Sequence, residues 1–191
     1  MQGQAYNAFY SHHGQFPGSL HYIMFMASVK NFASDEQLKK WQPLIDGNKI
    51  MGCYAQTELG HGSNVAGLET TAIYDVKTGV FDIHSPTESA TKWWPGDVGY
   101  VANYALVFAQ LIIKDEDGQT NKYGIAPFLV QIRDLNTHKY MPGIRCGNMG
   151  PKMGFNSKDN GWLIMNHVKV ARENMLQRYM ILDQDGTVSF D

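Results

Sequence analysis

Two glycine-punctuated stretches carry the residue types from which a ligand site can be built. The first, Tyr54-Ala55-Gln56-Thr57-Glu58-Leu59-Gly60-His61-Gly62-Ser63-Asn64, leaves a β-type run and enters a loop. Gly60 and Gly62 permit backbone conformations closed to other residues and allow a chain to approach a ligand closely. Thr57 and Ser63 add hydroxyls beside backbone N–H groups, a combination suited to hydrogen-bonding a planar heterocycle or a pyrophosphate. The same residues also make an ordinary turn. The second stretch is Lys92-Trp93-Trp94-Pro95-Gly96-Asp97-Val98-Gly99. Adjacent tryptophans on a strand point to opposite faces, so one is expected in the core and the other against a surface or a ligand. Barrel packing with a Pro-Gly turn accounts for the same residues.

The elements that position these stretches follow from periodicity. Residues 1–48 read as helical, with Leu20, Ile23, Met24, Ala27 and Phe32 on the buried face after Pro17-Gly18-Ser19. Ser34 starts a second helix, with Asp35 and Glu36 in its first turn and Gln37 completing a capping box; it is expected to stop before Pro43. Beyond Asn48 the period changes to strands near 50–56, 69–74, 80–84, 104–113, 123–132, 161–165 and 168–171. Residues 75–79 and 114–122 read as hairpin connections, the latter a mobile one. Met175, Leu176, Tyr179 and Leu182 then return to helical spacing. The fold class is therefore mainly β with flanking helices: a β-barrel or sandwich, preceded by two helices and followed by the start of a helical region. The expected divisions are 1–48, 49–171 and 172–191, and the absence of βαβ alternation disfavours a Rossmann fold.

Composition narrows the function. The 191 residues include 43% hydrophobic and 18% charged side chains, as in globular proteins. A formal charge of −2 without long runs of like charge gives no support for nucleic-acid binding. No apolar run reaches the roughly 20 residues of a membrane-spanning helix, and no secretory signal is visible. Cys53 and Cys146 read as reduced thiols. His12, His13 and His61 lack companions at ligand spacing, so no metal site is expected.

The two clusters, together with Gly67-Leu68-Glu69-Thr70-Thr71-Ala72, Asn148-Met149-Gly150-Pro151-Lys152-Met153-Gly154 and Arg172-Glu173-Asn174-Met175-Leu176, closely resemble the acyl-CoA oxidase family over most of the chain. Acyl-CoA dehydrogenases resemble the same architecture. They usually carry Pro where Leu59 stands and Asp where Asn64 stands, and they lack the Trp-Trp-Pro-Gly sequence, so the resemblance favours an oxidase.

This resemblance implies FAD as cofactor, with contacts at Tyr54, Ala55, Gln56, Thr57, Gly62, Ser63 and Gly96, Thr57 and Gly96 foremost. It implies conversion of fatty acyl-CoA to trans-2-enoyl-CoA, with molecular oxygen reduced to hydrogen peroxide in peroxisomal β-oxidation, and a homodimeric parent enzyme. Ser189-Phe190-Asp191 is not a peroxisomal tripeptide. The family's catalytic glutamate is expected in a carboxy-terminal helical domain beyond Asp191, so no catalytic residue is assigned among Glu58, Glu69 and Glu88. Glu58 is read as a partner for loop backbone or a nearby cation. Arg145, Lys152 and Lys158 are read as solvated cations rather than CoA contacts. On this reading the chain is a fragment or one piece of a split enzyme. The alternatives are a non-catalytic oxidase-like subunit of a larger assembly and an acyl-CoA dehydrogenase.

Overall fold

The computed structural model describes residues 18–191, which leaves His12 and His13 outside the described residues. A π-helical turn (His21–Phe25) runs into α1 (Met26–Phe32), and α2 (Asp35–Asp46) follows. The buried stripe is His21, Phe25, Val29 and Ala33, whereas Ile23 and Met24, expected in the core, are exposed. The wider π turn displaces the apolar stripe from the spacing of a regular helix.

Ser34 caps α2 as its sequence requires: Gln37 N–H donates to Ser34 Oγ at 3.3 Å, and Ser34 N–H donates to Gln37 Oε1 at 3.0 Å. The helix does not stop before Pro43 but continues to Asp46. Proline removes one helical hydrogen bond, and here the loss falls in the last turn. Burial of Ile45 and the bond from Gly47 N–H to Pro43 O, 3.1 Å, keep that turn wound.

The strands are β1 (Gly52–Ala55), β2 (Thr71–Asp75), β3 (Val80–His84), β4 (Lys92–Gly96), β5 (Tyr104–Lys114), β6 (Thr120–Gln131), β7 (Ile144–Asn148), β8 (Asn160–Met165) and β9 (Val168–Ala171). The expected hairpins at 75–79 and 114–122 join β2 to β3 and β5 to β6. β7 carries too little alternation to be read from the sequence. A six-stranded sheet is built around β5, which pairs in parallel with β1 and then β2, and antiparallel with β6; β3 and β9 extend it beyond β2. A second, three-stranded sheet has the order β4-β8-β7. Both sheets turn one face to a common core that includes Cys53, Phe81, Val107, Phe128 and Leu163.

β5 is buried on both faces, which explains its apolar run, interrupted only by the half-buried Gln110 before the exposed Lys114. Ala105, Val107, Ala109 and Leu111 point into the common core, while Leu106 and Phe108 point to the helices, where they meet Phe25, Val29, Trp41 and Ile45.

The helix expected over 172–182 is not formed. This segment is a 3-10 turn (Arg172–Asn174) followed by β10 (Met180–Leu182), which pairs with β11 (Val188–Phe190). Met175 enters the common core and its neighbour Leu176 enters the helix-side cluster, an alternation only extended backbone gives. Leu176 N–H bonds Pro127 O at 2.9 Å, and Gln37 Nε2 bonds Met175 O at 2.6 Å, so the backbone's hydrogen bonds go to other elements.

Phe128 is fully buried with its ring edge-on to Phe81, centroids 4.9 Å apart. Phe128→Ala should lower the unfolding free energy by about 3–5 kcal/mol, read as a lower urea midpoint. A loss below about 1 kcal/mol would contradict this packing.

Candidate functional site

At the end of β1 the chain turns out of the sheet, and Tyr54 and Thr57 face a cavity of about 290 Å³. Its opposite wall is Trp93 to Gly96 on β4; Leu20 and Met24 come from the helical segment, and Phe155, Lys158 and Asn160 from the chain before and at the start of β8. The volume is at the lower end for ligand pockets, roughly 300–1,000 Å³.

Both tryptophans line this cavity, and neither enters the core; Trp94 is 54% exposed. A bulge overrides the alternation assumed from the sequence. Trp93 pairs with Trp162 and Gly96 with Asn160, so β4 spends one residue more than β8 over the same interval. Trp94 takes φ of +50°, a conformation uncommon for a bulky residue, and Asn160 Nδ2 donates to Trp94 O at 3.1 Å to hold it.

Behind the cavity lies a buried ion pair. Glu58 and Lys92 side chains have no exposed surface, and Lys92 Nζ stands 2.9 Å from Glu58 Oε1. The carboxylate also accepts from Glu69 N–H (2.7 Å), Thr70 N–H (2.9 Å) and Thr70 Oγ1 (2.6 Å). Lys92 Nζ donates further to Phe108 O (2.7 Å) and Gln56 O (3.2 Å). Burial pushes the Glu58 carboxyl up, but the Lys92 charge and the three donors outweigh it and hold its pKa below the ordinary value. Burial pushes Lys92 down to about 8, against the pull of Glu58. The pair fastens the two cavity walls together, because Thr57 precedes Glu58, Trp93 follows Lys92, and Trp93 N–H bonds Thr57 O at 2.9 Å. Glu58 thus has the cationic and backbone partners its sequence setting suggested.

The structure brings Tyr54, Thr57 and Gly96 to one cavity. It does not bring the other four candidates there. The Ala55 side chain is fully buried in the common core, and Gln56 lies beside the cavity, accepting from the Tyr54 hydroxyl at 2.8 Å. Gly62 and Ser63 sit on an exposed loop. Neither Gly60 nor Gly62 has the positive φ that would demand glycine. At Gly60 a Cβ would stand 2.8 Å from Ser89 Cβ, so packing requires the glycine, whereas Gly62 faces open space. At Gly96 the missing side chain makes room for Leu20, whose Cδ1 would lie 2.2 Å from a Cβ there.

Lys158, read from the sequence as solvated, is buried and pairs with Asp97. A carboxylate 61 residues away was its only signal. Arg145 is exposed, and Lys152 Nζ donates to Lys158 O at 3.1 Å. Among the described residues no group of three or more His, Cys, Asp and Glu is placed to hold a metal.

A planar aromatic group fits this donor set. The walls offer aromatic faces from Tyr54, Trp93, Trp94 and Phe155, and the Thr57 hydroxyl makes no hydrogen bond among the described residues.

The fold and site define a middle domain of the acyl-CoA dehydrogenase type: residues 53–168 match the family model described as acyl-CoA dehydrogenase, middle domain. Residues 2–51 match the model described as acyl-coenzyme A oxidase N-terminal, and the chain belongs to the acyl-CoA oxidase family. The acyl-coenzyme A oxidase acox-1.2 of Caenorhabditis elegans is 49% identical over 90% of this chain and 25% of its own length. Peroxisomal acyl-coenzyme A oxidase 1 of Arabidopsis thaliana is 49% identical over 87% of this chain and 25% of its own. The solved structure of Caenorhabditis elegans acyl-CoA oxidase-2, described as bound with FAD, ascaroside-CoA and ATP, superposes with a TM-score of 0.86 at 48% identity, covering 93% of this chain and 26% of that one. The chain thus spans about a quarter of the length of the relatives it matches.

Two outcomes test the site's framework. Lys92→Met leaves Glu58 buried and unpaired and should cost about 3–5 kcal/mol, and Glu58→Gln with Lys92→Met should cost less than Lys92→Met alone. Denaturation of the four proteins completes the cycle, and additive losses would show that the charges do not couple. Near the loop, the Thr87 hydroxyl, then His61 and Ser89, hold the Glu69 carboxyl down from 4.5 to about 2. Because the folded value lies below the unfolded one, the stability from this cluster is complete above 4.5 and is lost as pH falls toward 2. Glu69→Gln should flatten that acid limb in thermal unfolding across pH; an unchanged limb would rule the linkage out.

Proposed function

We propose that this chain is the flavin-binding segment of an acyl-CoA oxidase, with its own domain at residues 49–171. The observation that carries the reading is the convergence of Thr57 and Gly96, distant in sequence, on one aromatic-walled cavity. Similarity to a structure bound with FAD supports it. Thr57 would donate to the polar edge of the isoalloxazine, Trp93 and Trp94 would cover its face and keep out water, and the Gly96 backbone would lie against it. FAD, when bound, supplies the acceptor for the hydride leaving the β-carbon of a fatty acyl-CoA and returns the electrons to oxygen as hydrogen peroxide. Of the other candidates, Ala55 and Gln56 would contribute through backbone, and Gly62 with Ser63 would meet a part of the ligand outside the cavity.

No carboxylate lines the cavity among the described residues. Glu58 is committed to Lys92 and Glu69 to its hydroxyl partners. We therefore assign the base that removes the α-proton to a part of the enzyme outside residues 18–191. The peroxisomal names of relatives support a peroxisomal location, and the family resemblance implies a homodimeric active enzyme.

Expressed from its complete coding sequence, the protein should purify yellow, bleach with acyl-CoA without air, and form peroxide when air is admitted. A flavin that only an electron-carrier protein reoxidises would make it a dehydrogenase, and a protein that takes up no flavin would leave a non-catalytic subunit. Thr57→Val should weaken FAD binding roughly five- to tenfold through one lost hydrogen bond, with the unfolding midpoint of the apoprotein unchanged. Unaltered affinity would remove Thr57 from the site.

A further inference from the structure

We propose that Lys158 is the cation that sets how readily a flavin in this cavity takes on negative charge, an inference that rests on the flavin reading above. Among the described cavity residues it alone carries a formal charge. Its side chain is 1% exposed, and Nζ lies 3.1 and 2.9 Å from the two Asp97 carboxylate oxygens. Asp97 does not line the cavity, so Lys158 is the member of the pair that borders it. Lys158 Cε reaches within 3.2 Å of where a Cβ of residue 96 would stand, which places the cation's stem against the Gly96 backbone.

The position is fixed from both sides. Lys158 N–H bonds Phe155 O at 2.9 Å, and Lys158 O accepts from Asn160 N–H at 3.0 Å. Asp97, at φ of +72°, is tied by its N–H to Asp159 O at 2.5 Å. A charge fixed in an apolar wall acts on a neighbouring group far more strongly than one in water. It needs no reorganisation when charge develops on the ligand, and charge beside a flavin is a known lever on its electronics. Asp97 would keep Lys158 aimed while reducing, without cancelling, the field it exerts.

Sulfite tests this without turnover. Its sulfur lone pair forms a bond to flavin N5, a ring electron pair is displaced toward the far end of the conjugated system, and the adduct keeps the negative charge. In the flavin-loaded protein from the complete coding sequence, Lys158→Met keeps the length and removes the charge. It should bind sulfite about tenfold more weakly, read from bleaching of visible absorbance, while retaining FAD. Lys158→Arg should restore most of the affinity, and Asp97→Asn should tighten binding beyond wild type. Flavin-loaded Lys158→Met with wild-type sulfite affinity would overturn the inference alone. Should that variant not fold, unchanged sulfite binding in Asp97→Asn would overturn it equally. A wild-type protein that takes up no flavin, evident before sulfite is added, would overturn the flavin reading and this inference with it.

Discussion

Glu58 and Lys92 meet where β1, β4 and β5 come together, and neither side chain reaches solvent. Two charges withdrawn from water are tolerated only when attraction and hydrogen bonds replace their hydration. Here the carboxylate collects the N–H groups of Glu69 and Thr70 and the Thr70 hydroxyl, and the ammonium collects the carbonyls of Gln56 and Phe108. Those partners belong to different parts of the chain, so satisfying the pair specifies how they sit. A slip of one residue in β1 or β4 would leave a charge and several backbone groups unpaired. The cavity inherits its shape from this constraint, since its two walls begin one residue away from the pair.

Much of the fold was legible because it follows from local chemistry. The capping box at Ser34 and the strands at 80–84 and 168–171 lie where periodicity put them. The failures share a cause: long-range packing overrode a local signal. Helical spacing at 172–182 coincided with an extended segment whose two apolar residues serve two different cores. Pro43 sits inside a helix because Ile45 gains from burial in the next half turn.

The candidate site was legible in part for related reasons. Thr57 and Gly96 meet because the bridge between Glu58 and Lys92 and the bond from Trp93 N–H to Thr57 O hold the chain beyond β1 against β4, and the family resemblance had named both as contacts. The orientation of the tryptophans was hidden, since nothing in the sequence announces that Trp94 adopts a positive φ and turns the strand. Lys158 resembled any surface lysine until the fold placed Asp97 against it. A buried charge declares itself only when its counter-charge is known, and that is a tertiary fact.

The two family matches end at Met51 and resume at Cys53 with Gly52 between them, and this junction is knotted rather than loose. Met51 O receives both Asn103 N–H and Tyr104 N–H, and Gly52 N–H reaches His21 Nδ1. The Phe25 ring lies so close over Gly52 that a Cβ there would fall 2.3 Å from its atoms. The boundary that divides the sequence into two inherited modules is therefore no mechanical joint. A side chain at position 52 fits only where position 25 gives up volume, so bulk on one side of the seam is matched by its absence on the other.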